Sequence, residues 1–379
     1  MAVTSRCILC LLAVICHSLA RAAVLDDDRV DILYQMYDGG GTKVEAPAIV
    51  VRKKLAESVA VSGHYLVDMV SGASIDVEVG ASPYEEKRTE YGAAVEYLKD
   101  KAVVSLGYAN SSENDYQAES FSLGVSQDFF GDMSTVSLAL GLGNDVIESS
   151  TDSGFEEQAK HTQLTVGLTQ VLHRNLIANL SLNKTVDEGY LQNPYRFIRY
   201  IDPDNPDGWL ADQETYPQTR SSDAWSLRGR YSIGTRKVLY ASVRQFQDSW
   251  GINAWNGEIG FNFALFRDWL FDIRYRHYRQ NEADFYRDLF DYPNQSNFQA
   301  RDKELSAFSS RMISLSAAWE LPLPYPAMIK KSTLHLMLDH IQFRYDNFRD
   351  AREDTLPAGS EPLYEFDANL LRLMLSIGF

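Results

Sequence analysis

Apolar and polar residues alternate with a period of two along most of this chain. In Thr135–Gly143, Val136, Leu138, Leu140 and Leu142 interleave with Ser137, Ala139, Gly141 and Gly143. Gln163–Thr169, Leu176–Asn183, Phe271–Tyr278 and Leu334–Asp339 repeat the pattern. Successive side chains of a strand point to opposite faces, so each segment predicts a strand with one greasy face. The last ten residues are the clearest case. Leu371, Leu373, Leu375, Ile377 and Phe379 alternate with Arg372, Ser376 and Gly378, and Met374 is the one large exception. Read throughout, the alternation predicts strands at 30–38, 44–54, 58–71, 88–98, 102–113, 117–129, 133–146, 160–172, 176–188, 221–232, 237–248, 254–264, 269–279, 308–320, 332–346 and 367–379. That makes sixteen, with fourteen or eighteen also compatible with the pattern.

The connections sharpen this. From the third strand on, short links (99–101, 130–132, 173–175, 234–236, 266–268) tend to alternate with long ones (72–87, 147–159, 189–220, 280–307, 347–366). The links at 114–116 and 321–331 fit less well. Short turns at one end and long loops at the other, with an even strand count, predict an all-β antiparallel transmembrane barrel spanning residues 30–379. Aromatic residues near many strand ends, such as Tyr97, Tyr231, Trp255, Trp269 and Trp319, fit interfacial belts. A soluble β-sandwich or propeller is the competing fold. Strands of about 9–11 residues or more, long enough to cross a bilayer, weigh against it. The aromatic end on an alternating strand resembles the C-terminal signal of bacterial outer-membrane barrels. It implies pairing of last strand with first and recognition by the barrel-assembly machinery.

At the other end, Arg6 precedes an apolar run from Ile8 to Ile15, and small residues around Ala22 suggest cleavage there. Residues 1–22 therefore read as a secretory signal peptide, followed by a short acidic periplasmic leader at 23–29. The three cysteines, Cys7, Cys10 and Cys16, all fall inside the signal, so the mature chain is expected to hold together without disulfides. Removing the signal takes Arg6 and Arg21 and no acid, moving the formal charge from −16 to −18. Such an acidic chain excludes nucleic acid as a natural partner. Together these features predict the Gram-negative outer membrane, with its lipid as the partner.

Residues 69–91 carry Ser71-Gly72-Ala73-Ser74-Ile75-Asp76, then Ser82-Pro83-Tyr84, then Arg88-Thr89-Glu90-Tyr91. With Tyr108, Asp115-Tyr116, Ser126-Gln127-Asp128 and the terminal Phe379, this resembles a family of Gram-negative outer-membrane β-barrel proteins. The resemblance covers most of the mature chain and implies extracytoplasmic protein partners, of the thiol or flavin kind, but names no chemistry. From the residues alone, Gly72 and Pro83 shape turns, and Ser71, Ser74 and Asp76 can bond nearby backbone. Asp68, Asp76, Glu85, Glu86, Arg88 and Glu90 can pair to order the loop. The plainer reading is an ordered loop, the sharper one a binding loop.

Six arginines are candidates for the lumen: Arg228, Arg230, Arg244, Arg274, Arg276 and Arg344. A charge facing lipid at mid-depth costs about 2–4 kcal/mol, so they are expected to point inward. Arg344 shares the parity of Leu334–Leu338 and turns inward only if a bulge shifts the phase. Candidate partners are Glu96, Asp223, Glu258, Asp272 and Asp339. Two readings stand side by side: a basic strip that selects anions, and an ion-pair network that packs the interior.

The run Asp202-Pro203-Asp204-Asn205-Pro206-Asp207-Gly208 resembles half of a calcium loop, but two prolines and a missing downstream glutamate favour a rigid acidic tip. His64, His161, His173, His277, His335 and His340 show no metal spacing, and no serine motif accompanies His277, so an outer-membrane hydrolase has little support. No phosphate-cradling loop is present, and no cofactor is expected. The expected function is a pore or export channel serving extracytoplasmic partners. The alternative is a plugged surface scaffold or adhesion barrel acting through its loops. Solute and oligomeric state are not written in the sequence.

Overall fold

In the computed structural model, residues 24–72, 84–322, 328–353 and 355–379 are described. The expected signal peptide at 1–22 and the motif residues Ser74, Asp76 and Pro83 lie outside the described residues. The strands are β1 Arg29–Gly39, β2 Thr42–Ala56, β3 Val59–Gly72, β4 Tyr84–Lys99, β5 Ala102–Ser112, β6 Tyr116–Phe129, β7 Ser134–Glu148, β8 Glu156–His173 and β9 Leu176–Gly189. They continue with β10 Phe197–Ile201, β11 Trp209–Gln213, β12 Thr219–Ser232, β13 Lys237–Asp248, β14 Asn253–Leu265, β15 Trp269–Gln280, β16 Phe308–Glu320, β17 Lys331–Arg349 and β18 Leu363–Gly378.

Sixteen of these strands close into one antiparallel barrel, and β10 and β11 form a separate hairpin inside the connection from β9 to β12. Closure runs through the two ends of the barrel. β18 pairs with β1 from Arg29↔Gly378 to Gly39↔Ala368, so no free sheet edge remains there. The alternation predicted from sequence separates the two faces. Leu106, Leu138, Leu182, Ile259, Ile313 and Leu338 are half exposed on the outside, whereas Ser314 and Asp339 on the inside are buried. Rings outside the short-turn end stack in register: Phe263 on Phe271 at 5.7 Å and Trp269 on Trp319 at 5.3 Å.

The strands run longer than expected at the long-connection end, so the loop predicted at 72–87 shortens. Gly72 and Tyr84 pair across β3 and β4, and Ser71, Arg88 and Glu90 are strand residues. Among the described residues no helix is long and apolar enough to cross a membrane, which leaves crossing by strands open. The largest buried apolar cluster sits at the long-connection mouth. It joins Tyr216, Trp250, Ala283, Tyr286 and Leu305 from the connections to Phe308, Tyr345, Phe348 and Tyr364 of the barrel.

Candidate functional site

The lumen carries two differently charged walls. On β2–β4 the inward arginines have found their opposites. Arg52 holds Glu96 with two bonds of 2.7 and 2.6 Å, a fork that fixes both side chains. Several inward positions further up β4, Arg88 binds Asp68 at 2.6 Å and reaches Glu90 at 3.9 Å, and His64 lies 3.2 Å from Glu90. Glu96, expected as a partner of the basic strip, is therefore spent on Arg52. Arg88 and Glu90, expected to order a loop, instead face inward from β4 as part of this network.

On β12–β15 the balance fails. Arg228 and Arg230 on β12, Arg244 on β13, and Arg274 and Arg276 on β15 share the inward parity of their strands. Above them, near the long-connection end, Arg220 is neutralised by Asp248 at 2.5 Å. For the five arginines below, these strands offer only Glu258 and Asp272. Glu258 stands 4.0 Å from Arg228 and 4.0 Å from Arg274, and so serves two guanidiniums weakly. Asp272 instead accepts the Tyr240 hydroxyl at 3.0 and 2.9 Å. That contact requires Gly260, where a Cβ would come within 2.2 Å of the Tyr240 ring. Arg274 turns towards the neighbouring wall, to Ser314 at 3.2 Å and Asp339 at 3.8 Å. Asp339 is buried and also receives Arg372 at 3.5 Å. Among the described residues Arg230 and Arg276 have no ion pair. Arg244 borders a polar crevice of about 170 Å³ with Gln163, Thr165, Ser181 and Asn183.

Two expected positions are corrected. Arg344 is on the outer face, 3.6 Å from the equally exposed Glu365. The one irregularity of β17 against β18 falls between Arg344 and Arg349, too late to turn Arg344 inward. Asp223 also faces outward and pairs with Lys184 at 2.9 Å. Arg372 was missed, although it was visible as the polar residue interrupting the leucines of β18.

Asp202, Asp204 and Asp207 form the turn of the β10–β11 hairpin, where Asp202 accepts the Asp204 amide at 2.9 Å. They do not converge. The carboxylates that do, among the described residues, are Glu86, Glu113 and Asp115, with oxygens within 4.8 Å of one another. Burial, with the Glu86 charge beside it, pushes Glu113 up to about 7. Asp115 accepts the Tyr195 hydroxyl, which ties this corner to the β9–β12 connection.

Three connections, 190–218, 281–307 and the described residues of 350–362, form a cap over the β12–β18 side of the mouth. Parallel bridging of Tyr200 with Phe290 and antiparallel bridging of Thr215 with Gln299 join the first two. Arg199, almost fully buried, binds Glu361 of the third and Asp288 of the second, the latter at 2.5 Å. Arg301 adds a 3.2 Å contact to Asp288, and Arg196 pairs with Asp302. Glu214 accepts the Arg301 amide at 2.6 Å and the Tyr216 hydroxyl at 2.7 Å. Burial and the nearby Asp302 push Glu214 up to about 7, against the opposing pull of Arg196.

Residues 75–325 match the family model described as a protein of unknown function, DUF3570. The chain belongs to this family. Among solved structures, the barrel is similar to a bacterial polysaccharide outer membrane secretin at TM-score 0.52 and 8% identity, covering 95% of this chain and 99% of that one. It is also similar to the outer membrane protein OpdK of Pseudomonas aeruginosa, at TM-score 0.44 and 10% identity, covering 94% of this chain and 100% of that one. OccK2 (OpdF) of the same organism, in complex with glucuronate, gives TM-score 0.42 and 11% identity over 93% of this chain and 98% of that one. At 8% identity the likeness to the secretin concerns the fold alone, and the argument for function rests on the side chains of the DUF3570 chain itself. No curated protein matches the chain.

Proposed function

We propose that this DUF3570 protein is an outer-membrane pore whose lumen favours small anions. The observation that carries the reading is the under-compensated wall of β12–β15, where among the described residues Arg230 and Arg276 make no ion pair and Arg228 and Arg274 share Glu258. Arg228 keeps 39% of its side chain exposed, so the charge is presented to solvent in the lumen. Fixed cations at close quarters replace part of an anion's hydration and repel cations. The outward leucine rows and stacked aromatic girdle support a bilayer around the barrel, with β18 as the strand read by the assembly machinery. The long connections then face the cell exterior.

A second reading, a plugged scaffold, is favoured by the aromatic cap at the mouth. Reconstitution in a planar bilayer separates the two. Discrete open steps are expected, and complete electrical silence from folded protein overturns the pore.

A further inference from the structure

The inner face of β15–β18 is not uniformly polar, and its apolar part borders Arg276, which makes no ion pair among the described residues. Cross-strand pairing places Arg276 opposite Met312, Met312 opposite Ile341, and Ile341 opposite Ala368, in one row across four strands. One pleat nearer the mouth, Phe343 pairs with Phe366, and their rings stack at 4.6 Å with an interplanar angle of 15°. The cap buries Phe308, Tyr345 and Tyr364 above this level to 8% exposure or less. On its underside Phe343 and Phe366 pack against the cap cluster from below, and with Met312 and Ile341 they remain only half-buried. The apolar surface that these four side chains leave uncovered beside the lumen can take an apolar group of a ligand. Glu258, directly across the β14–β15 register from Arg276, is in contact with Arg228 and Arg274, and among the described residues Arg276 makes no ion pair, so its fork is left for a planar oxyanion.

We propose that this row and shelf form a binding subsite for a small organic carboxylate carrying an apolar ring. The carboxylate is held by Arg276 and the ring lies against Met312, Ile341, Phe343 and Phe366. Adjacent strands are about 4.8 Å apart and successive inward positions about 6.8 Å apart. The distance from the reach of Arg276 to the stacked rings therefore suits one ring and a short linker. This deepens the anion-pore reading and rests on it for the route by which the solute arrives. It adds a requirement that a bare basic strip does not have, an apolar body on the anion.

Isothermal titration calorimetry of the barrel folded in detergent micelles, with empty micelles subtracted, tests the site directly. 3-Phenylpropionate is expected to bind saturably with one site per chain, and acetate and the neutral 3-phenylpropanol to give no saturable heat. Arg276→Gln is expected to weaken 3-phenylpropionate at least ten-fold, and Phe343→Ser several-fold. Heat-modifiable gel mobility verifies that each variant is folded. Arg311→Gln, on the outer face of β16, serves as a matched loss of one arginine and should leave binding unchanged. Equal binding of acetate, no saturable heat with the wild type, or an unaltered affinity in folded Arg276→Gln overturns the subsite. Conductance is read separately in a chloride gradient. Anion-selective current without this binding sinks the subsite alone, and binding without current sinks the pore reading alone.

Discussion

The β2–β4 wall and the β12–β15 wall are built from the same residue types and do different things with them. On the first, Arg52 and Arg88 each hold a carboxylate and His64 lies beside Glu90, so neither arginine is left without a partner in the sheet. On the second, Asp272 is occupied by a tyrosine and Glu258 is divided, so positive charge is left over. The first wall is the ion-pair network of the packing reading, and the second is the wall on which the proposed anion selectivity rests. A charge matters for a passing ion when its neighbours do not neutralise it, and residue type alone does not report that.

Removing one partner from each wall should break the comparison most visibly. Arg88→Ala strands Asp68 and Glu90 in a buried setting, and should cost about 3–5 kcal/mol in urea unfolding of the barrel. Arg276→Gln, which leaves no buried partner behind, should stay within about 0.5 kcal/mol of wild type in the same assay. The order reverses for permeation. Arg228→Ala/Arg230→Ala should lower the anion-to-cation permeability ratio several-fold while unfolding midpoints hardly move.

The cap gives a smaller, pH-dependent effect. Glu214 has its folded-state pKa raised to about 7, so between about 4.5 and about 7 the folded state holds a proton that the opened state releases. Stability of the cap therefore falls as pH rises through that window and is greatest below it. Hydrogen exchange at the Arg301 and Tyr216 amides, corrected for intrinsic rates, should show opening becoming easier from pH 5 to pH 8, and Glu214→Gln should flatten the trend. The least effect is expected from Arg344→Ala. Its exposed pair with Glu365 lies outside the lumen, so selectivity should be unchanged and stability should move by less than about 0.5 kcal/mol.

The barrel was legible because one face of every strand meets a single apolar surrounding, and that writes a period of two into the chain. The pairing of Leu370–Phe379 with the opening strand follows from the same rule. What the period cannot carry is who sits beside whom. Glu96 and Arg52 are 44 residues apart, and Arg199 meets Glu361 across 162. The β10–β11 hairpin and the cap depend on such distant partners, so the lengths of 189–220 and 280–307 gave no direction. Arg344 turns on the position of one bulge, and Arg372 was read as a polar interruption because its partner Asp339 comes from another strand.

The reversal potential of single channels in a potassium chloride gradient tests the central claim most directly. With Arg230 and Arg276 making no ion pair among the described residues, the wild-type barrel should reverse on the chloride side of zero, and Arg228→Ala/Arg230→Ala should move that value towards zero. A wild-type reversal at zero or on the potassium side, unmoved by the double substitution, contradicts the account.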